Sequence, residues 1–383
     1  MTDIRDLIVA AGASDSDLED VVRQIGVERV ADMLVYELVD RADLSELGDT
    51  ADVTVQFELR AGDRRVARAV RARGGTAACE AGTAASPDAT VVQDLVDLAR
   101  AVFGPRPERA NATRSIVWRD PGAAGTPSRS RWANEAPQVT HRLLRGSEDR
   151  PEDLAELLLR FGSGRWGIHR SPQQYARHFG PLRDRSLTIL ELPAGGYDDP
   201  DTDDSSLRAW KRYFRRAMVY RIDVVGRYEL LEQRVRTLRG RRMDPRFLSG
   251  AVAQTGPLDI VIDACHDRLD VTASFGLLFP HLRPGGIYVI EDVGSGNGLP
   301  GAATTAGFFT SLVDRLSYRE FDPPAEDGPA ETGTTAAGVH FYRDLVVVEK
   351  GADRDGKPAL APAPKRRRLA RGGRGSPEKA GSI

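Results

Sequence analysis

The sequence predicts an α/β protein: a mostly parallel, doubly wound sheet preceded by a smaller α+β unit. Three observations carry this expectation. From about residue 152, short apolar runs alternate with helical patterns, the texture of strands joined by crossover helices. The first ~105 residues instead place helical spacing ahead of strict alternation. The chain has 383 residues, too many for one ordinary domain, at 40% hydrophobic and 29% charged, an ordinary globular balance.

The elements follow in order. Leu18, Val21, Val22, Ile25, Val30, Met33, Leu34 and Leu38 recur at helical spacing. ADVTVQFELRAGDRRVARAVRA reads as two strands about an Ala-Gly-Asp turn, with Val53, Val55, Phe57 and Leu59 on one face. VVQDLVDLARAVFG (91–104) reads as a helix ended by Gly104-Pro105. Residues 105–150, rich in Pro, Gly, Ser, Arg and Asn, read as a long connection with one short helix near 136–145. Strands are then predicted at Leu187–Leu192, Met218–Val224, Val235–Leu238, Leu258–Asp263 and Gly286–Asp292. Helices are predicted at Ser205–Phe214, Asp244–Gln254 and Val271–His281, and a further segment at Gly301–Leu316. GVHFYR (338–343) and LVVVEK (345–350) read as a terminal antiparallel hairpin. Five parallel strands and a hairpin describe a Rossmann-like sheet. The expected units are an auxiliary α+β unit with its linker at 1–150, the sheet core at 151–351 and a disordered basic tail at 352–383.

Charge narrows the function classes. Lys+Arg is 54 and Asp+Glu is 56, a net charge of −2, which argues against a whole-surface nucleic-acid binder. The sum is uneven: 365–383 hold seven bases and one acid, +6, which leaves −8 for the rest. The segment PKRRRLARGGRG (364–375) keeps anion binding as a minor alternative to a solvated tail. Cys79 and Cys265 make no disulfide framework and no zinc spacing. The acidic start is unlike a signal peptide and no apolar run approaches a membrane span, so a cytoplasmic setting is expected.

Ligands in such sheets sit at the carboxyl ends of the strands, and three strand ends are polar. The first is Glu191 with the turn Pro193-Ala194-Gly195-Gly196-Tyr197, where glycines allow close backbone approach or simply make the turn. The second is Asp223, either a ribose-hydroxyl acceptor or a solvated acid. The third joins Asp263, His266 and Asp267 with Glu291 and Asp292. Carboxylates at that concentration suit a hard cation such as Mg²⁺, and the histidine suits a general base. His169, Tyr175 and His178 precede the first strand of the sheet, where a lid can form, although His178 reads as a packed helix residue. His281 and His340 read as structural, and Trp166 and Trp210 as core anchors.

At YARHF, ILELPAGGY, SLRAWKRYF, VYRIDV, DIVID, LFPHLRPGGIYVIEDV and GVHFYRDLVVVEKG the chain resembles the sugar O-methyltransferases of macrolide biosynthesis, the mycinamicin VI 2''-O-methyltransferase and macrocin O-methyltransferase group. The resemblance covers the core over about 160–351, and the N-terminal part looks like that family's auxiliary domain. It implies a class I methyltransferase fold, S-adenosylmethionine and Mg²⁺ as cofactors, a glycoside acceptor from antibiotic biosynthesis and a homo-oligomer. It also implies roles. Glu291 and Asp292 match the paired metal ligands, with Asp263 a further candidate because the family's third ligand position is Ala264; Asp223 and Glu191 with Gly195, Gly196 and Tyr197 bind the cofactor; His266, shifted by one in register, is the candidate catalytic base.

The chain departs from the family pattern at one edge. Pro193 replaces the first loop glycine, Ala264 stands where the family has a second aspartate, and Arg241 follows Gly240 where the family has an acid. Two functions are therefore carried forward: a divergent sugar O-methyltransferase, or a homologue that no longer transfers methyl groups and binds another ligand, catalyses another step or supports a partner.

Overall fold

The computed structural model describes residues 2–48, 52–105, 111–120, 129–148, 152–163, 172–193, 204–223, 232–242, 244–264, 268–293, 304–316 and 336–351. The predicted tail, the turn residues Gly195, Gly196 and Tyr197, the base candidate His266, and Asp267, His169 and Trp166 lie outside these residues.

The chain opens with helices α1 (Thr2–Ala10), α2 (Asp15–Ile25) and α3 (Val27–Arg41). The single helical stretch expected here is divided at Gly26, whose φ of +100° a side chain would resist. Ser14 and Asp17 form a reciprocal capping box that starts α2. Strands β1 (Val53–Ala61) and β2 (Arg64–Arg73) form the predicted hairpin, followed by β3 (Thr76–Ala81), β4 (Ala89–Asp94), α4 (Leu95–Phe103), β5 (Ser115–Trp118) and α5 (Arg129–Arg145). The sheet order is β3-β2-β1-β4-β5, with β4 parallel to β1.

Three expectations fail here. The connection over 105–150 also supplies strand β5, paired with β4. Residues 91–94 belong to β4, and the helix begins only after Asp94, whose carboxylate accepts from the Val96 and Asp97 amides. The short helix near 136–145 starts at Arg129 instead; Ala136, Val139, Leu143 and Leu144 anchor it in the core that includes α3 and β1. Tertiary burial overrides a weak local pattern there.

The second half supplies α6 (Leu154–Arg160), α7 (Pro172–Phe179), β6 (Leu187–Leu192), α8 (Ser205–Tyr213), β7 (Ala217–Asp223), β8 (Val235–Arg239), α9 (Pro245–Thr255), β9 (Leu258–Asp263), α10 (Arg268–Leu278), β10 (Leu282–Glu291), α11 (Thr305–Leu316), β11 (Ala336–Tyr342) and β12 (Leu345–Lys350). The seven strands run in the order β11-β12-β10-β9-β6-β7-β8. The five from β6 to β10 are mutually parallel, and β12 is antiparallel to both β10 and β11. Every residue of the central strands β6 and β9 is buried, as expected of a parallel sheet covered on both faces.

Two apolar clusters flank this sheet. One joins α9, α10, α11 and one sheet face to the N-terminal helices and the first sheet. The other packs Trp210, Phe179, Phe214 and Tyr175 against the opposite face, with Trp210 in the core as its sequence context predicts. No helix among the described residues is long and apolar enough to cross a membrane.

Candidate active site

The strand order reverses between β6 and β9, so the crevice at their carboxyl ends is the topological switch point where ligands bind in this architecture. Leu192 and Asp263 pair across it, and the Ala264 amide donates to the Leu192 carbonyl at 3.0 Å. The predicted acids lie along this edge. Asp223 ends β7 and Glu191 is the penultimate residue of β6; Asp263 ends β9 and Glu291 ends β10.

Each acid has a distinct setting. Glu191 is buried, and Ser206 in the first turn of α8 donates to its Oε1 at 2.8 Å. Asp223 is half-buried; its carbonyl accepts from the Gly240 amide at 3.0 Å. Gly240 must lack a side chain because a Cβ would fall 2.2 Å from the Phe247 ring. Glu291 is buried, and the Tyr175 hydroxyl from α7 donates to its Oε1. Asp292 follows with φ +54°, a left-handed conformation that costs energy in a non-glycine residue and clusters at functional sites.

Asp263 is turned into the protein. It is fully buried and accepts from Ser274 and, at 2.9 Å, from the Tyr288 hydroxyl. Burial and then the Asp263 charge push the Tyr288 phenol well above its usual range, so it stays protonated and donates.

Arg242 supplies the countercharge. Its Nη2 donates to the Pro193 carbonyl at 2.8 Å and its Nη1 lies 3.9 Å from Asp263 Oδ1. Pro193, one departure from the family pattern, is thereby held by Arg242, the neighbour of another, Arg241. Arg242→Leu should lower unfolding free energy by about 1–3 kcal/mol, the worth of a hydrogen bond from a charged donor. Urea denaturation measures this, and an unchanged midpoint would rule out Arg242 as the group that balances Asp263.

Glu291 and Asp292 offer oxygen donors of the kind a hard divalent cation takes, and the strain at Asp292 is consistent with a functional position. These residues therefore fit a Mg²⁺ ion. The crevice between Glu191 and Asp223, at the carboxyl ends of β6 and β7, fits a nucleoside ligand. Sequence reasoning did not identify the Tyr175–Glu291 contact, the Ser206 donor or the Arg242 reach. For Tyr175 one signal was available: it lies three residues before His178, on the same face of α7. The other two contacts join separate elements and had no local signature.

Known proteins share this chain's sequence pattern and fold. Residues 4–114 match the family model described as MycE methyltransferase N-terminal. The chain is 37% identical over 365 residues to 8-demethyl-8-alpha-L-rhamnosyl tetracenomycin-C 2'-O-methyltransferase of Streptomyces olivaceus, covering 91% of this chain and 95% of that protein. It is 35% identical to demethylmacrocin O-methyltransferase of Streptomyces fradiae, covering 92% of each. Among solved structures, MycE methyltransferase from the mycinamycin biosynthetic pathway in complex with Mg and SAH superposes with a TM-score of 0.80 at 28% identity, covering 95% of both chains. The complex of that enzyme with Mg, SAH and mycinamycin VI gives 0.77 at the same identity, over 95% of this chain and 96% of that one.

Proposed function

This chain belongs to the sugar O-methyltransferase family that includes the rhamnosyl tetracenomycin-C and demethylmacrocin enzymes, and we propose that it transfers the methyl group of S-adenosylmethionine to a sugar hydroxyl of a glycosylated natural product. The observation that carries the reading is the row of strand-end acids, Asp223, Glu191, Glu291 and Asp292, around the switch point of a sheet whose relatives share this chemistry.

When bound, S-adenosylmethionine supplies an electrophilic methyl group and Mg²⁺ supplies a Lewis acid that lowers the acceptor hydroxyl pKa. The residues of the chain do the rest. Asp223 accepts from ribose hydroxyls. Gly195, Gly196 and Tyr197 give the cofactor its loop, and Ser206 fixes the Glu191 carboxylate beside it. Glu291 and Asp292 hold the cation, while Asp263, tied to Ser274, Tyr288 and Arg242, supports that edge. His266, three residues past β9, takes the hydroxyl proton. Positioning the acceptor supplies much of the rate.

Incubation of the full chain with methyl-labelled S-adenosylmethionine, Mg²⁺ and a rhamnosylated aromatic or macrolide acceptor tests this. Label in the sugar is the expected result. Calorimetry that detects no S-adenosylmethionine binding, together with no transfer, would refute the reading. Binding without transfer would favour the second reading, a homologue that has lost methylation, for which Pro193 and Ala264 are the motivating residues. Tyr175→Phe removes a donor to Glu291 and should raise the Mg²⁺ concentration for half-maximal rate roughly tenfold, as loss of a partner to a metal ligand does.

A homo-oligomer is part of the proposal. Val117 and Trp118 are exposed on the edge strand β5, apolar area that a second copy could cover. Light scattering on the eluting protein should report a mass above 41.8 kDa; a monomer mass at micromolar concentration would remove this part.

A further inference from the structure

Outside the switch point, one side-chain cluster among the described residues has the composition of a metal site: His178 on α7, His340 on β11 and Glu349 on β12. One ligand atom from each lies within 4.8 Å of the other two. His178 Nδ1 and His340 Nε2 both approach the same carboxylate oxygen, Glu349 Oε1, at 3.2 Å each. That spacing matches the ligand–ligand edge of a tetrahedron with zinc bonds of about 2.0–2.1 Å, roughly 3.3 Å.

The cluster has the further parts such a site requires. The second ring nitrogen of His178, Nε2, lies 2.8 Å from the Tyr342 hydroxyl. Metal-bound histidines hold their other nitrogen in this way, which sets the tautomer and aims the free lone pair at the ion. His340 Nε2 is buried and has no aligned hydrogen-bond partner, although Glu349 is near. A buried ring nitrogen without a hydrogen bond is open to a metal ion. Gly338, paired with Glu349, leaves room: a Cβ there would sit 3.2 Å from His340 Nε2 and 3.5 Å from Glu349 Oε2. His178 is buried while His340 and Glu349 are half-exposed, so a cation has an entry path.

We propose that His178, His340 and Glu349 bind a Zn²⁺-class divalent cation with an open fourth position, and that this ion ties α7 to the terminal hairpin. Imidazole donors favour such an ion over Mg²⁺. The site is separate from the strand-end acids: Glu349 pairs with Ile287, four residues before Glu291 on β10, or roughly 13 Å along the strand. Both places touch α7, which presents His178 to the cluster and Tyr175 to Glu291.

The test is zinc competition against a chromophoric chelator with the full chain, using wild type, His340→Ala, Glu349→Gln, Tyr342→Phe and Glu291→Gln. The expected result is one zinc per chain, bound roughly 100-fold or more weakly in His340→Ala and Glu349→Gln, and roughly tenfold more weakly in Tyr342→Phe. Glu291→Gln should leave it unchanged. Zinc should also raise the melting temperature of wild type but not of His340→Ala. Equal zinc affinity in wild type and the His340→Ala/Glu349→Gln double variant overturns the proposal. So does zinc binding that disappears with Glu291→Gln, which would assign the ion to the strand-end acids. His340 and Glu349 are half-exposed, so these variants should keep the fold, and an unaltered far-UV spectrum confirms it.

Discussion

Glu291→Gln should reduce kcat/KM for methyl transfer by about three orders of magnitude, roughly 4 kcal/mol of transition-state stabilisation. Glutamine keeps the size of the side chain and can still accept from Tyr175, so the packing of α7 should persist. What is lost is the negative charge at the end of β10. A neutral amide is a poor ligand for a hard cation, and the acceptor hydroxyl would keep a pKa too high for ready deprotonation. S-adenosylmethionine affinity should change little, because Asp223 and Glu191 lie on other strands. Steady-state kinetics over a Mg²⁺ series, with calorimetry for the methyl donor, separate these outcomes. Activity within tenfold of wild type would exclude Glu291 as a metal-binding acid.

The largest expected effect on stability lies far from this edge. Glu37 on α3 is fully buried between two buried arginines. Arg41 Nε donates to Glu37 Oε1 at 2.9 Å, and Arg234 Nη2 donates to the same oxygen at 2.5 Å. Both guanidinium groups also cap backbone carbonyls: Arg41 those of Val102 and Gly146, Arg234 those of Phe214, Ala217 and Lys211. The network joins the N-terminal helices to the sheet core. It also holds Arg234 at φ +64°, a conformation that local sterics disfavour by about 1–2 kcal/mol. Glu37→Gln leaves two buried cations without their shared anion and should cost about 3–5 kcal/mol.

The pH dependence follows from the same network. Burial alone would raise the Glu37 pKa, but Arg234, Arg41 and Lys211 outweigh it and hold the carboxyl well below the usual range. A group with a depressed folded pKa contributes stability above its unfolded value, near 4.3, and loses it as pH falls toward the folded value. The gap between wild type and Glu37→Gln should therefore be constant near neutrality and narrow below about pH 4. Urea unfolding at several pH values reads it directly. A gap that widens on acidification would mean Glu37 is not the anion that balances these arginines.

Much of the fold was legible because local rules and tertiary structure agree. The strands Leu187–Leu192, Leu258–Asp263 and Leu345–Lys350 have the predicted bounds, since continuous apolar runs between turn residues admit few alternatives. Where burial is partial, the local signal fails. β3, TAACEA, is largely exposed and carries no alternation to read. β4 is only six residues long and runs directly into α4, so its strand pattern merges with a helical one; the capping residue Asp94 was the boundary marker.

The candidate site divides in the same way. Amino-acid order alone determined that Glu191, Asp223, Asp263 and Glu291 fall at strand ends, because strand bounds are set by apolar runs and turns. The strand order β10-β9-β6-β7 then places those ends along one edge. Sequence also shows that Pro193, Ala264 and Arg241 interrupt the family pattern. Only the tertiary structure decides what these residues do. It assigns Arg242 to Pro193 and Asp263, Tyr175 to Glu291, and two histidines 162 positions apart to one glutamate. Side-chain charge and hydrogen-bonding capacity are written in the sequence. Which buried groups answer one another is set by packing across distant elements, where a low dielectric makes each unmatched group costly and each matched one specific.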